Sequence, residues 1–136
     1  MLFRSWEFAC RAGTTTAYHG WPAQPAGTDD SSLLGNIAWC CYNPPTRPVA
    51  LKAPNGFGLY DMLGNVWERT EDCWHDTYTG APSDGRAWTV GGICTQRVTR
   101  GGAWLSDAPD VRSALRNWDM AGNRKYTLGF RVARGL

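Results

Sequence analysis

The chain has 136 residues, a formal net charge of +2 and only 19% charged residues. That length carries one domain, able to bury roughly two thirds of its unfolded surface. So small and scattered a positive excess argues against nucleic acid or an anionic membrane as partner, and no run reaches the length of a membrane span.

Eight tryptophans beside sixteen glycines are the unusual part of the composition. Tryptophan brings a large buried area with one N–H that needs a partner, and glycine opens turns closed to other residues. Together they predict a loop-rich domain pinned by aromatic anchors rather than a helical bundle. Met1–Ser5 does not read as a signal peptide. Phe3, Trp6 and Cys10 recur at helical spacing with Gly13 as a stop, which predicts a helix over 3–11.

Residues 17–30, rich in Pro, Gly and Ala, read as a surface loop, and Ser31 to Leu34 as one helical turn. Three prolines between Asn43 and Pro48 exclude a central strand there, because each lacks a ladder donor. Short strands are expected at Val66–Thr70, Arg97–Arg100, Val111–Trp118 and Thr127–Ala133. The last has Leu128, Phe130 and Val132 alternating with Gly129, Arg131 and Ala133.

Between Gly58 and Glu68 the chain carries two acids, Asp61 and Glu68, on either side of a Gly64-Asn65 turn. A hard cation takes six to eight oxygens from carboxylates and backbone carbonyls, and a chain that doubles back at Gly64 brings both acids toward one ion. The plainer alternative is a capped turn with Glu68 solvated on a strand. Arg112, Arg116 and Arg131 have Asp107, Asp110 and Asp119 as candidate ion-pair partners. His75, beside Trp74 and Asp76, reads as a solvated loop residue. Five cysteines leave at least one outside any intrachain bridge. Cys10, Cys40 and Cys41 read as small buried apolar residues, and Cys40-Cys41 alone is a weak zinc pattern.

The stretch Gly58–Glu68, with Trp6–Thr14, Arg100–Trp104 and Gly129–Arg134, resembles the formylglycine-generating enzyme (sulfatase-modifying factor) family, with the blocks in family order. The resemblance implies one α+β, loop-rich, C-type-lectin-like domain over 1–136, with short antiparallel strands and one N-terminal helix. The family's N-terminal portion is expected to be missing. A structural calcium is implied, held by the side chains of Asp61 and Glu68 and the carbonyls of Gly64 and Val66. On that reading Glu68→Ala lowers stability in calcium but not in chelator. Related sequences also carry cysteines matching Cys73 and Cys94. A bridge between them closes a loop of about twenty residues, worth about 3 kcal/mol, and suggests a periplasmic or extracellular setting.

Copper-dependent relatives use two thiolates just after the Arg-Gly-Gly-Ser block, where soft sulfur suits Cu(I). Here that segment, Ala103–Arg112, holds no cysteine, so copper is not expected. Sulfoxide-synthase-like relatives draw iron ligands from another domain. His19 and His75 are in no ligand spacing, so iron requires ligands from another segment. Trp104, Ser106, Asp107, Arg112, Arg116, Trp118 and Asp119 fall where the family lines its groove. They predict recognition of a protein or small-molecule ligand, with scaffold as the alternative for each. A further resemblance, to the variable proteins of diversity-generating retroelements, places any diversified positions between Leu105 and Tyr126.

Overall fold

The computed structural model describes residues 3–20, 27–42 and 45–133, the side chains of Phe3 and Arg4 excepted. Helix α1 spans Phe3–Arg11, as the apolar spacing requires, and buries Trp6 and Cys10. It stops where Ala12 and Gly13 take positive φ, +47° and +91°, the left-handed exit common at helix C-termini. Its last carbonyls are capped from a distance: Asn55 Nδ2 donates to Ala9 O at 2.6 Å and Cys10 O at 3.1 Å.

Residues 21–26, most of the expected surface loop, lie outside the described residues. On its C-terminal flank Asp29 and Asp30 are exposed as predicted, but the N-terminal flank is not. Tyr18 and Thr28 form a β-bridge, and Tyr18 and His19 are buried. Asp30 accepts from Ser32 N at 2.8 Å and starts a 3-10 turn, Ser31–Leu33, that runs into a second short helix, α2, at Leu34–Ile37. Leu34 and Ile37 enter the main core with Trp6, Tyr18, Met62 and Leu63. Asn43 and Pro44 also fall outside the described residues; 45–48 form no strand.

Strand β1 (Ala38–Trp39) pairs parallel with β2 (Leu63–Gly64). The larger sheet contains β3 (Trp67–Trp74), β4 (Ile93–Arg100), β5 (Asn117–Met120) and β6 (Leu128–Phe130), in the order β5-β4-β3-β6. The β4–β3 and β4–β5 pairs are antiparallel, as expected, and β3–β6 adds a parallel pair. β3 and β4 extend beyond the predicted strands to the Cys73–Cys94 disulfide, whose Cα atoms lie 4.4 Å apart.

Of the strand expected at Val111–Trp118, only Asn117 and Trp118 are extended, at the start of β5. Pro109 lies in a 3-10 turn, Ala108–Val111, and the carbonyls of Ser113, Ala114 and Leu115 accept from Arg100 instead of a ladder. Arg100 is fully buried beneath them. It also meets Glu7 at 2.7 Å and lies over the Trp6 ring at 5.1 Å. The alternation seen at 127–133 does not mark burial either: Phe130 and Val132 are 76% and 82% exposed. Among the described residues no helix is long and apolar enough to cross a membrane.

Candidate functional site

The Gly64-Asn65 turn is built by close approach. Both residues have positive φ, +77° and +63°, and a Cβ on Gly64 would lie 2.2 Å from Trp39 O, so only glycine fits. The turn then ties separate segments together. Gly64 N donates to Gly101 O at 2.7 Å, Asn65 N to Trp39 O at 2.7 Å, and Trp104 N to Asn65 O at 3.0 Å. The Asn65 side chain exchanges bonds with the Arg47 backbone at 3.1 and 3.2 Å.

From this turn the chain aims Asp61, Gly64, Val66 and Glu68 into one cavity of about 480 Å³, shared with Arg131 and Phe130. All four residues expected around a cation therefore meet. Glu68 is buried rather than solvated, and it already faces a cation. Arg131 approaches its carboxylate to 2.7 Å and reaches the carbonyls of Tyr60 and Asp61 at 3.0 and 3.2 Å. Trp6 Nε1 donates to the other carboxylate oxygen at 2.7 Å. Burial works against the charge on Arg131, but the Glu68 bonds outweigh it and raise the guanidinium pKa.

Asp61 differs. Its Oδ2 accepts from Ala50 N at 2.7 Å, while Oδ1 is buried with no hydrogen-bond partner. An orphaned carboxylate oxygen is costly and is the feature here that fits a hard cation. No group of three or more metal-ligating side chains occurs among the described residues, so an ion at Asp61 would draw on backbone carbonyls as well.

The residues predicted for a groove are spread over three places. Trp104 sits beside the Gly64-Asn65 turn, its ring 6.3 Å from that of Tyr126, and its Nε1 is buried without a partner. Ser106 Oγ accepts from Ala103 N at 3.0 Å, and Ser106 O from Cys41 N at 2.8 Å. Asp107 and Arg112 flank the following 3-10 turn; both are exposed, and Arg112 Nε donates to Pro109 O at 2.8 Å.

Trp118 and Asp119 line a separate cavity of about 160 Å³ on β5. Trp118 is 42% exposed there rather than core. Burial alone would raise the Asp119 pKa, yet bonds from Lys125, Asn123 and Met120 N outweigh it and lower it. Arg116 lies 4.4 Å from each of the Trp74 and Tyr78 rings and donates to His75 O and Asp76 O. None of the three arginines takes the aspartate partner expected of it. His75, expected to be solvated, is partly buried, stacked on Trp88 at 3.5 Å. Cys41, expected to be buried, is exposed.

The profile of the sulfatase-modifying factor enzyme 1-like domain matches residues 4–136, and the chain belongs to that family. The mouse formylglycine-generating enzyme is 30% identical over 94% of this chain and 37% of its own length. The serine/threonine-protein kinase pkn1 of Chlamydia caviae is 33% identical over 96% of this chain and 20% of its own. The chain thus spans well under half of these curated relatives. Variable protein 1 of Treponema denticola superposes with a TM-score of 0.80, at 34% identity over 95% of this chain and 44% of that one. The mixed, loop-rich architecture is that of the formylglycine-generating-enzyme fold.

Proposed function

We propose that this chain is a copper-free binding or accessory domain for a protein or small-molecule ligand, with a structural calcium beside Asp61. The supporting observation is the segment after Gly102. Ala103, Ser106 and Val111 are buried there, and Ala103–Arg112 offers no thiol where copper-dependent relatives carry two. An anaerobic Cu(I) competition titration on the chain with Cys40 and Cys41 changed to serine tests this. No tight binding is expected; one-to-one binding overturns the reading.

The calcium part rests on the buried, unsatisfied Asp61 Oδ1, which lines the cavity with Gly64, Val66 and Glu68. Calcium is expected to raise the melting temperature of the parent chain and to leave that of Asp61→Asn unmoved; equal shifts in both discard the site. The closed Cys73–Cys94 bridge suits a periplasmic or extracellular setting. A second reading, as a diversified variable protein, draws on the likeness to the Treponema denticola protein. A near-repeat of the DNA encoding residues 105–126, beside a reverse transcriptase gene, is the observation that decides it.

A further inference from the structure

Cys40 and Cys41 are adjacent in sequence, and their sulfurs lie 2.8 Å apart, well inside van der Waals contact. One is buried and the other exposed, so the pair is open to solution from one side only. Cys41 and the following Tyr42 both hold positive φ, +64° and +61°, a conformation costly for a non-glycine residue.

The peptide joining the two cysteines is also the one that meets the segment 103–106. Its N–H, that of Cys41, donates to Ser106 O at 2.8 Å. Ser106 in turn accepts from Ala103 N through Oγ at 3.0 Å, so 103–106 is anchored directly to the 40–41 peptide.

We propose that Cys40 and Cys41 are a redox modification site, at which a small-molecule disulfide closes a vicinal bridge and thereby shifts the segment 103–106. The exposed Cys41 attacks as thiolate, forming a mixed disulfide and releasing one small thiol. Cys40 then loses its proton and attacks the Cys41 sulfur, and a second small thiol leaves. Two protein thiols and one small disulfide thus become one protein disulfide and two small thiols. Burial first, then the contact with Cys41, pushes the Cys40 thiol up to about 12, so the exposed Cys41 is the thiol that attacks first.

Consecutive Cα atoms are about 3.8 Å apart across a trans peptide, whereas disulfides ordinarily span about 4.4–6.8 Å. The ring must therefore deform the 40–41 peptide, and a strained bridge is the more easily reduced. It should open at a reducing poise that leaves Cys73–Cys94 closed.

Trypsin cuts after Arg11 and Lys52 but not readily at Arg47-Pro48, so one peptide, 12–52, holds Cys40 and Cys41 and no other cysteine. The full chain is equilibrated in glutathione buffers of graded ratio, alkylated, digested and weighed. Peptide 12–52 is expected to pass from two alkyl groups to none, with loss of two hydrogens, as the buffer becomes oxidising. Cys40→Ser should instead trap glutathione on Cys41, and Cys41→Ser should leave Cys40 unmodified by glutathione. Hydrogen exchange of 100–112 and of the Cys41 amide should speed up in the oxidised parent and stay constant in Cys40→Ser. Two alkyl groups at every ratio overturn the proposal, as does a bridge that forms with no change in exchange. The copper titration uses variants lacking both thiols, so its outcome stands apart from this one.

Discussion

Replacing Glu68 with Gln tests which cation holds the 58–68 turn. Glu68 is 7% exposed, and the Arg131 side chain facing it is 27% exposed. Arg131 makes contacts of 3.1, 3.1 and 2.7 Å to the carboxylate. Gln keeps an acceptor for Trp6 Nε1 but removes the charge, leaving a half-buried guanidinium without its counter-ion. Breaking a buried pair from one side costs about 3–5 kcal/mol. Solvent reaching Arg131 lowers that to about 2–4 kcal/mol. At about 4 °C per kcal/mol for a domain of this size, the melting temperature should fall by about 8–16 °C. Urea and thermal unfolding in calcium and in chelator measure it, with Arg131→Gln and the double variant closing the cycle. The loss should appear in both buffers and should largely vanish in the Arg131→Gln background. A loss confined to calcium would refute the ion-pair argument and return Glu68 to the metal, as the spacing alone suggested.

Asn55 is fully buried and its side chain makes four bonds, two donated to Ala9 O and Cys10 O and two accepted from Phe57 N and Leu59 N. At about 1 kcal/mol net for each, Asn55→Ala should cost about 3–4 kcal/mol by urea unfolding; a cost under about 1 kcal/mol would mean water replaces it. His19 is buried, and that burial outweighs its bond to Gly20 O and lowers its pKa. The unfolded chain then binds the extra proton below about pH 6.5. The stability from His19 is thus complete above that pH and declines as pH falls from 7 toward 5. His19→Gln should flatten this slope in unfolding measured across the range, and an unchanged slope assigns it elsewhere.

What the sequence disclosed was local or carried by a motif. The 3–11 helix follows from Trp6 and Cys10 one turn apart, and its end from Gly13. The Gly64-Asn65 turn needs left-handed backbone, which the residue types announce. The hidden parts depend on distant partners. β6 lies parallel to β3 through pairs such as Trp67 with Leu128, a register no short window contains. Residues 111–118 have strand-like composition, but Arg100 captures the carbonyls at 113–115, and a ladder cannot use them as well. The sequence offers Arg131 the aspartates at 107, 110 and 119, whereas the fold carries it to Glu68 across the cavity. Asn55 gave no signal beyond standing before Gly56, since its cap serves a helix far up the chain.

The four motif blocks that define the family converge on one network. Trp6 and Arg131 both bind Glu68, Glu7 meets Arg100, Gly64 takes the carbonyl of Gly101, and Asn65 accepts from Trp104. Each bond joins blocks far apart in sequence, so the signature describes how the scaffold closes. Leu105–Arg112 and Trp118–Lys125 are segments that this network leaves outside. Those segments can change while the network persists, which is why membership in the family fixes the fold and leaves activity to be argued from the site. In this chain the first of them meets the Cys40-Cys41 peptide at Ser106. That is where a change in chemistry would be felt without disturbing the Glu68 network.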